Sequence, residues 1–194
     1  MKVVIAVHPA SSAPIVRRAL ALCSSADVCV RGVEDRSTVP SAAYWAVRDD
    51  RARAICVVDA ESTNPSIAHG IQEDLWFLVS HPPYVTIHMA VPEVAAVLFQ
   101  SPDQLAEILG LDVTQEDRIR AEYVPGEILN ALIERSPRVH SIEELVEQIG
   151  DEYASRMREH PLMREVACSL ECALAAPRVP AEMDYFTGAE LLPS

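Results

Sequence analysis

Short apolar runs alternate with amphipathic stretches over the first hundred residues, the pattern of a parallel sheet with crossover helices. Val3 to Val7 is continuously apolar, as a strand covered on both faces requires. Ser11 or Ser12 is placed to cap a following helix, with Pro14 in its first turn and Ile15, Ala19 and Leu22 at helical spacing. Val28 to Val30 reads as a second strand ending near Gly32, and Ser41 to Asp50 as a second helix. Ala54 to Val58 is a third strand, the most apolar of all. Pro65 to Ser80 reads as a helix with Ile67, Ile71, Leu75 and Leu78 on one face, and Tyr84 to Ala90 as a fourth strand.

After Pro92 the pattern becomes helical. Ser101-Pro-Asp-Gln104 and Ser141-Ile-Glu-Glu144 have the spacing of capping boxes, and Gly110 and Gly150 stand where helices can close. Pro161 to Ala175 is an apolar helix stopped by Pro177, and Arg178 to Ser194 has no clear period. The expected architecture is α/β: a small parallel sheet of about four strands with flanking helices over residues 1–100. A mostly helical region, 101–194, packs on it and ends in a short tail.

Composition narrows the setting. Nearly half of the 194 residues are apolar, yet no run is long enough to span a membrane. The N-terminus has neither the apolar core nor the cleavage site of a signal peptide, so the expected location is cytoplasmic. Five cysteines in apolar surroundings such as Ala54-Ile-Cys56 suit reduced, buried thiols. The net charge of −13 disfavours loose binding to nucleic acid. The acidity, however, belongs to the C-terminal part, because residues 1–62 hold eight basic and seven acidic side chains. The sheet half could therefore face a phosphate, while the acidic helical half is a candidate surface for a protein partner. Acidic surfaces also serve solubility alone.

Ligand sites of parallel sheets lie at the carboxyl ends of the strands. There the sequence offers His8-Pro9, Glu34-Asp35, Asp59-Ala-Glu61 and Glu93. Asp59 and Glu61 are two apart, so in a continuing strand they would share a face, and at its end both could reach one hard cation. Acids in such a loop also cap helices or simply stay solvated. His69, His81, His88, His140 and His160 show no ligand spacing and read as surface or capped histidines. Cys168 and Cys172, four apart on a helix, read as core, and Trp45, Trp76 and Phe77 as core or interface. With no Gly-rich loop, a Walker or Rossmann nucleotide site is not expected.

The order strand–helix–strand–helix–strand–acid-x-acid–helix resembles the Toprim domain of topoisomerases, bacterial primases and the overcoming-lysogenization-defect nucleases. The nearest likeness is to small stand-alone bacterial Toprim-like proteins, some linked to phage defence. Ile55-Cys-Val-Val-Asp59-Ala-Glu61 is similar to the family's Asp-x-Asp motif, and Ile87 to Phe99 to its fourth strand and helix, with Glu93 near a family Glu. His8 stands where the family has its first-strand Glu, and Pro9 where it usually has Gly.

The resemblance implies divalent-metal-dependent phosphodiester chemistry on nucleic acid. Mg²⁺ or Mn²⁺ would sit on Asp59 and Glu61, with Glu34 or Asp35 on the neighbouring strand end as a compensating ligand and His8, Asp59 and Glu61 as the catalytic set. It equally implies a degenerate alternative, an inactive regulatory or protein-interaction subunit, since His8 brings no negative charge to such an ion. An unrelated flavodoxin-like or receiver-like fold also places acids at strand ends.

Overall fold

The computed structural model describes residues 2–20, 27–79 and 82–180. Its four strands are β1 (Val3–His8), β2 (Val28–Gly32), β3 (Arg53–Asp59) and β4 (Val85–Ala90). They form one all-parallel sheet in the order β2-β1-β3-β4. Chain order turns back on itself between β1 and β3, so those two strand ends flank the switch point where parallel sheets bind ligands.

Nine helices occur among the described residues: α1 (Ala13–Ala19), α2 (Val39–Arg48), α3 (Pro65–Leu78), α4 (Pro102–Leu109), α5 (Gln115–Ala121), α6 (Pro125–Arg135), α7 (Ile142–Glu147), α8 (Asp151–Glu159) and α9 (Pro161–Ala175). Val94–Gln100 forms a 3₁₀ segment between β4 and α4. Helix starts follow local chemistry: the Asn64 side chain accepts from Ser66 N at 3.0 Å, with Pro65 opening α3. Gly110 closes α4 at φ +69°, a left-handed turn that glycine adopts without penalty.

Strand alternation divides the apolar residues into two cores. Val3, Ile5, Val7, Ile55 and Val57 face α1, the 3₁₀ segment and the helices of the C-terminal half, in one cluster that runs to Leu170. Val4, Ala6, Ala54, Cys56 and Val58 face α2 and α3. Both sheet faces are thus covered, which explains the continuously apolar strands.

Several expectations from the sequence need correction. Ser12 precedes α1 but makes no capping bond, and Ser101 likewise leaves the start of α4 uncapped by its side chain. Gly150 does not close a helix but precedes α8. On α3 only Ala68 and Leu75 are buried, while Ile67 and Leu78 are exposed. Cys168 and Cys172 lie on the surface instead of in the core, and Phe77 is 91% exposed. Leu22, His81 and the stretch after residue 180 lie outside the described residues. No described helix is long and apolar enough to cross a membrane.

Candidate functional site

His8 ends β1 and pairs in register with Val58, so its side chain leaves the sheet on the α2/α3 face. It is only 6% exposed, and its Nδ1 has no hydrogen-bond partner. Burial first, then the Arg36 guanidinium, pulls its pKa below the ordinary imidazole value, so it is neutral at pH 7.

Asp59 ends β3 one residue further on and therefore points to the opposite face, toward the C-terminal helices. It is 4% exposed, and its Oδ1 accepts from Val94 N at 2.8 Å, the start of the 3₁₀ segment. Burial, reinforced by the charges of Glu93 and Glu61, pushes its pKa up to about 8 in spite of that hydrogen bond.

Glu61 departs from the alternation that would align it with Asp59. Ala60 N and Glu61 N donate to Ala90 O and Pro92 O, so the chain stays beside the β4 exit. Glu61 itself takes φ +53°, the left-handed region that costs a non-glycine residue about 1 kcal/mol. Its carboxylate meets Arg36, at the start of the β2–α2 connection, at 2.9 Å. Glu61 thus joins His8 and Glu34 around an open cleft of about 600 Å³. Asp35, Arg36 and Asp74 complete its polar lining, and Ile71, Leu75 and Leu78 form an apolar wall.

Three of the four residues singled out in the sequence, His8, Glu34 and Glu61, therefore line one cleft, and Asp59 lies behind the sheet edge. Glu93 serves elsewhere: its Oε2 accepts from Gly126 N at 2.7 Å, anchoring the start of α6. A Cβ at residue 126 would collide with that carboxylate, so glycine is what lets Glu93 sit there. Arg36, which organises both Glu61 and the charge of His8, was missed in the sequence. Its signal is a lone base directly after the two acids that follow β2.

Three further histidines have ordinary partners. His69 pairs with Glu73 one turn on, the His160 ring nitrogen accepts from Leu162 N, and His88 bonds Ser169 Oγ at 3.0 Å.

These residues do not fit a magnesium or manganese ion. Such ions are held by one or two free carboxylates directed at one point, with water and substrate oxygens completing the octahedron. Here the Asp59 acid is buried and held by Val94 N, Glu61 is turned onto Arg36, and Glu93 is spent on α6. Among the described residues no three His, Cys, Asp or Glu side chains converge to hold a metal.

Comparison with known proteins returns the fold. No family model and no curated protein sequence matches the chain. The C-terminal region of the Burkholderia pseudomallei OLD protein superimposes with a TM-score of 0.51 at 15% identity, covering 86% of this chain and 98% of that one. The fold is Toprim-like. The C-terminal region of the Xanthomonas campestris pv. campestris OLD protein gives a TM-score of 0.44 at 13% identity, over 88% of this chain and 96% of that one.

Proposed function

We propose that this Toprim-like chain has lost metal-dependent phosphodiester chemistry and acts, in the cytoplasm, as a regulatory or protein-interaction subunit. The observation that carries the reading is the register of β1 on β3. It sends the His8 and Asp59 side chains to opposite faces, at the two strand ends the resemblance would have share an ion. A neutral imidazole in place of the family's carboxylate removes the charge such an ion needs. An acid with a pKa near 8 carries its own proton over much of the physiological range.

A second reading retains a nuclease that uses Mg²⁺ or Mn²⁺ on Asp59, Glu61 and Glu34, acting on nucleic acid in phage defence. One observation favours it: Glu93 and Glu61 both raise the pKa of Asp59, a crowding of negative charge that a cation would relieve.

One experiment separates the two. Manganese is titrated calorimetrically into wild type and Asp59→Ala, and DNA and RNA are incubated with each protein in Mg²⁺ and Mn²⁺. The non-catalytic reading expects no cleavage and the same weak, featureless heats from both proteins. Cleavage abolished by Asp59→Ala would establish the second reading.

A further inference from the structure

We propose that the His8 cleft is the seat for an arginine side chain of a protein partner, with Phe77 and Leu78 forming the apolar rim that the partner's flanking residues cover. The inference rests on the reading of this chain as an interaction subunit and names what that subunit would grip.

Charge selects a cation. Glu34, Asp35, Glu61 and Asp74 line the cleft against the single guanidinium of Arg36. Arg36 is taken up by Glu61 at 2.9 Å, and Asp35 receives Ser37 N at 2.8 Å. Among the described residues Glu34 and Asp74 have no ion-pair partner. A phosphate backbone would be repelled by the same four carboxylates.

The floor selects a hydrogen-bond donor. His8 is almost wholly buried, and its Nδ1 has no hydrogen-bond partner, which costs free energy. A neutral imidazole nitrogen can accept one N–H. A guanidinium carries five N–H donors in a rigid fork, so it can meet more than one acceptor at a time. A metal ion would require converging ligands, and these do not converge.

The walls select a side chain on a larger body. Ile71, Leu75 and Leu78 offer an apolar surface for the methylene stem. The volume of about 600 Å³ lies in the usual range of formed binding pockets. Leu78, part of that wall, is 59% exposed at the end of α3, and its chain neighbour Phe77 is 91% exposed. A small amine would leave that rim in water, whereas a peptide segment would cover it.

The test uses a fluorescein-labelled peptide of alternating leucine and arginine, its citrulline counterpart, and a single-stranded DNA oligonucleotide. Each is titrated into the full-length protein and followed by anisotropy. Variants are the cleft pair Glu34→Gln/Asp74→Asn, the rim change Phe77→Ser, and a charge-matched pair on the helical half, Asp112→Asn/Glu134→Gln. All five positions are exposed, so folding is retained.

The cleft pair should weaken arginine-peptide binding about tenfold, the effect of 1.4 kcal/mol. The rim change should weaken it several-fold, and the remote pair less than twofold. Citrulline keeps the shape without the charge and should also bind about tenfold more weakly. The His8 ring nitrogens should shift in ¹⁵N spectra on addition of the arginine peptide.

Equal losses from the cleft and remote pairs would overturn the proposal in favour of general acidity. So would equal binding of the citrulline peptide, tighter binding of the oligonucleotide, or no binding at all. Cleavage of nucleic acid by a protein that still binds the peptide at the cleft would overturn only the non-catalytic reading. Loss of peptide binding without any cleavage would overturn only the arginine seat.

Discussion

At Asp59 the cost of burial is measurable. An unfolded aspartate titrates near pH 4, whereas burial and the neighbouring Glu93 and Glu61 charges lift the folded value to about 8. The folded state therefore holds a proton that the unfolded chain has released, so stability falls as pH rises from about 4 to about 8 and levels off above. Asp59→Asn keeps an oxygen to accept from Val94 N and removes the ionisation. It should leave stability near pH 4 almost unchanged and raise it by about 1–3 kcal/mol at pH 8, flattening the profile. Urea midpoints at the two pH values check this. A loss at pH 8 would mean that the Asp59 charge is satisfied by something other than the groups described.

At the scale of elements, Glu93 couples the β4 exit to the start of α6. A carboxylate at a helix start gains from both the hydrogen bond and the helix dipole. Glu93→Ala should cost about 0.5–1 kcal/mol, and Gly126→Ala, which displaces the same carboxylate, a similar amount. Since both break one contact, the double variant should cost little more than either alone, which a thermodynamic cycle measures directly. Additive losses would mean the two positions act independently. This cap was not legible in the sequence, because its partners are thirty-three residues apart. Elements built from local pattern were legible: Pro161 to Ala175 is helical as its composition requires, and each strand lies within a residue or two of its apolar run. The site failed where its argument assumed a strand that continues. Alternation puts Asp59 and Glu61 on one face only while the backbone stays extended, and a glutamate in the left-handed region gives no sign of itself in the sequence. The α3 face misled for a related reason: helical spacing shows that residues share a side, not that another element covers it.

For the whole molecule, the decisive feature is how the larger core is shared. Val3, Ile5, Val7, Ile55 and Val57 on one face of the sheet join a single cluster with Leu105, Leu129, Leu132, Leu145, Met157 and Leu170. Tyr153 seals it, its hydroxyl donating to Leu98 O within the 3₁₀ segment. Residues 1–100 contain all four strands and three helices, so they could be taken for a unit able to fold alone. Yet without the later helices only α1 and the 3₁₀ segment would remain to cover that sheet face, and water would reach valines and isoleucines that are now fully buried. Each such side chain is worth about 1.5–3 kcal/mol when buried, so exposing several exceeds the roughly 5–15 kcal/mol by which a domain is stable. A fragment of residues 1–100 should therefore show no cooperative urea transition, and the intact chain should show one, coincident by far-ultraviolet circular dichroism and tryptophan fluorescence. Trp45 and Trp76 lie in the sheet half while most of the helix lies beyond it, so the two probes report different halves of the molecule. Two separated transitions would mean that the helical half is an appendage to the sheet and not the other side of its core.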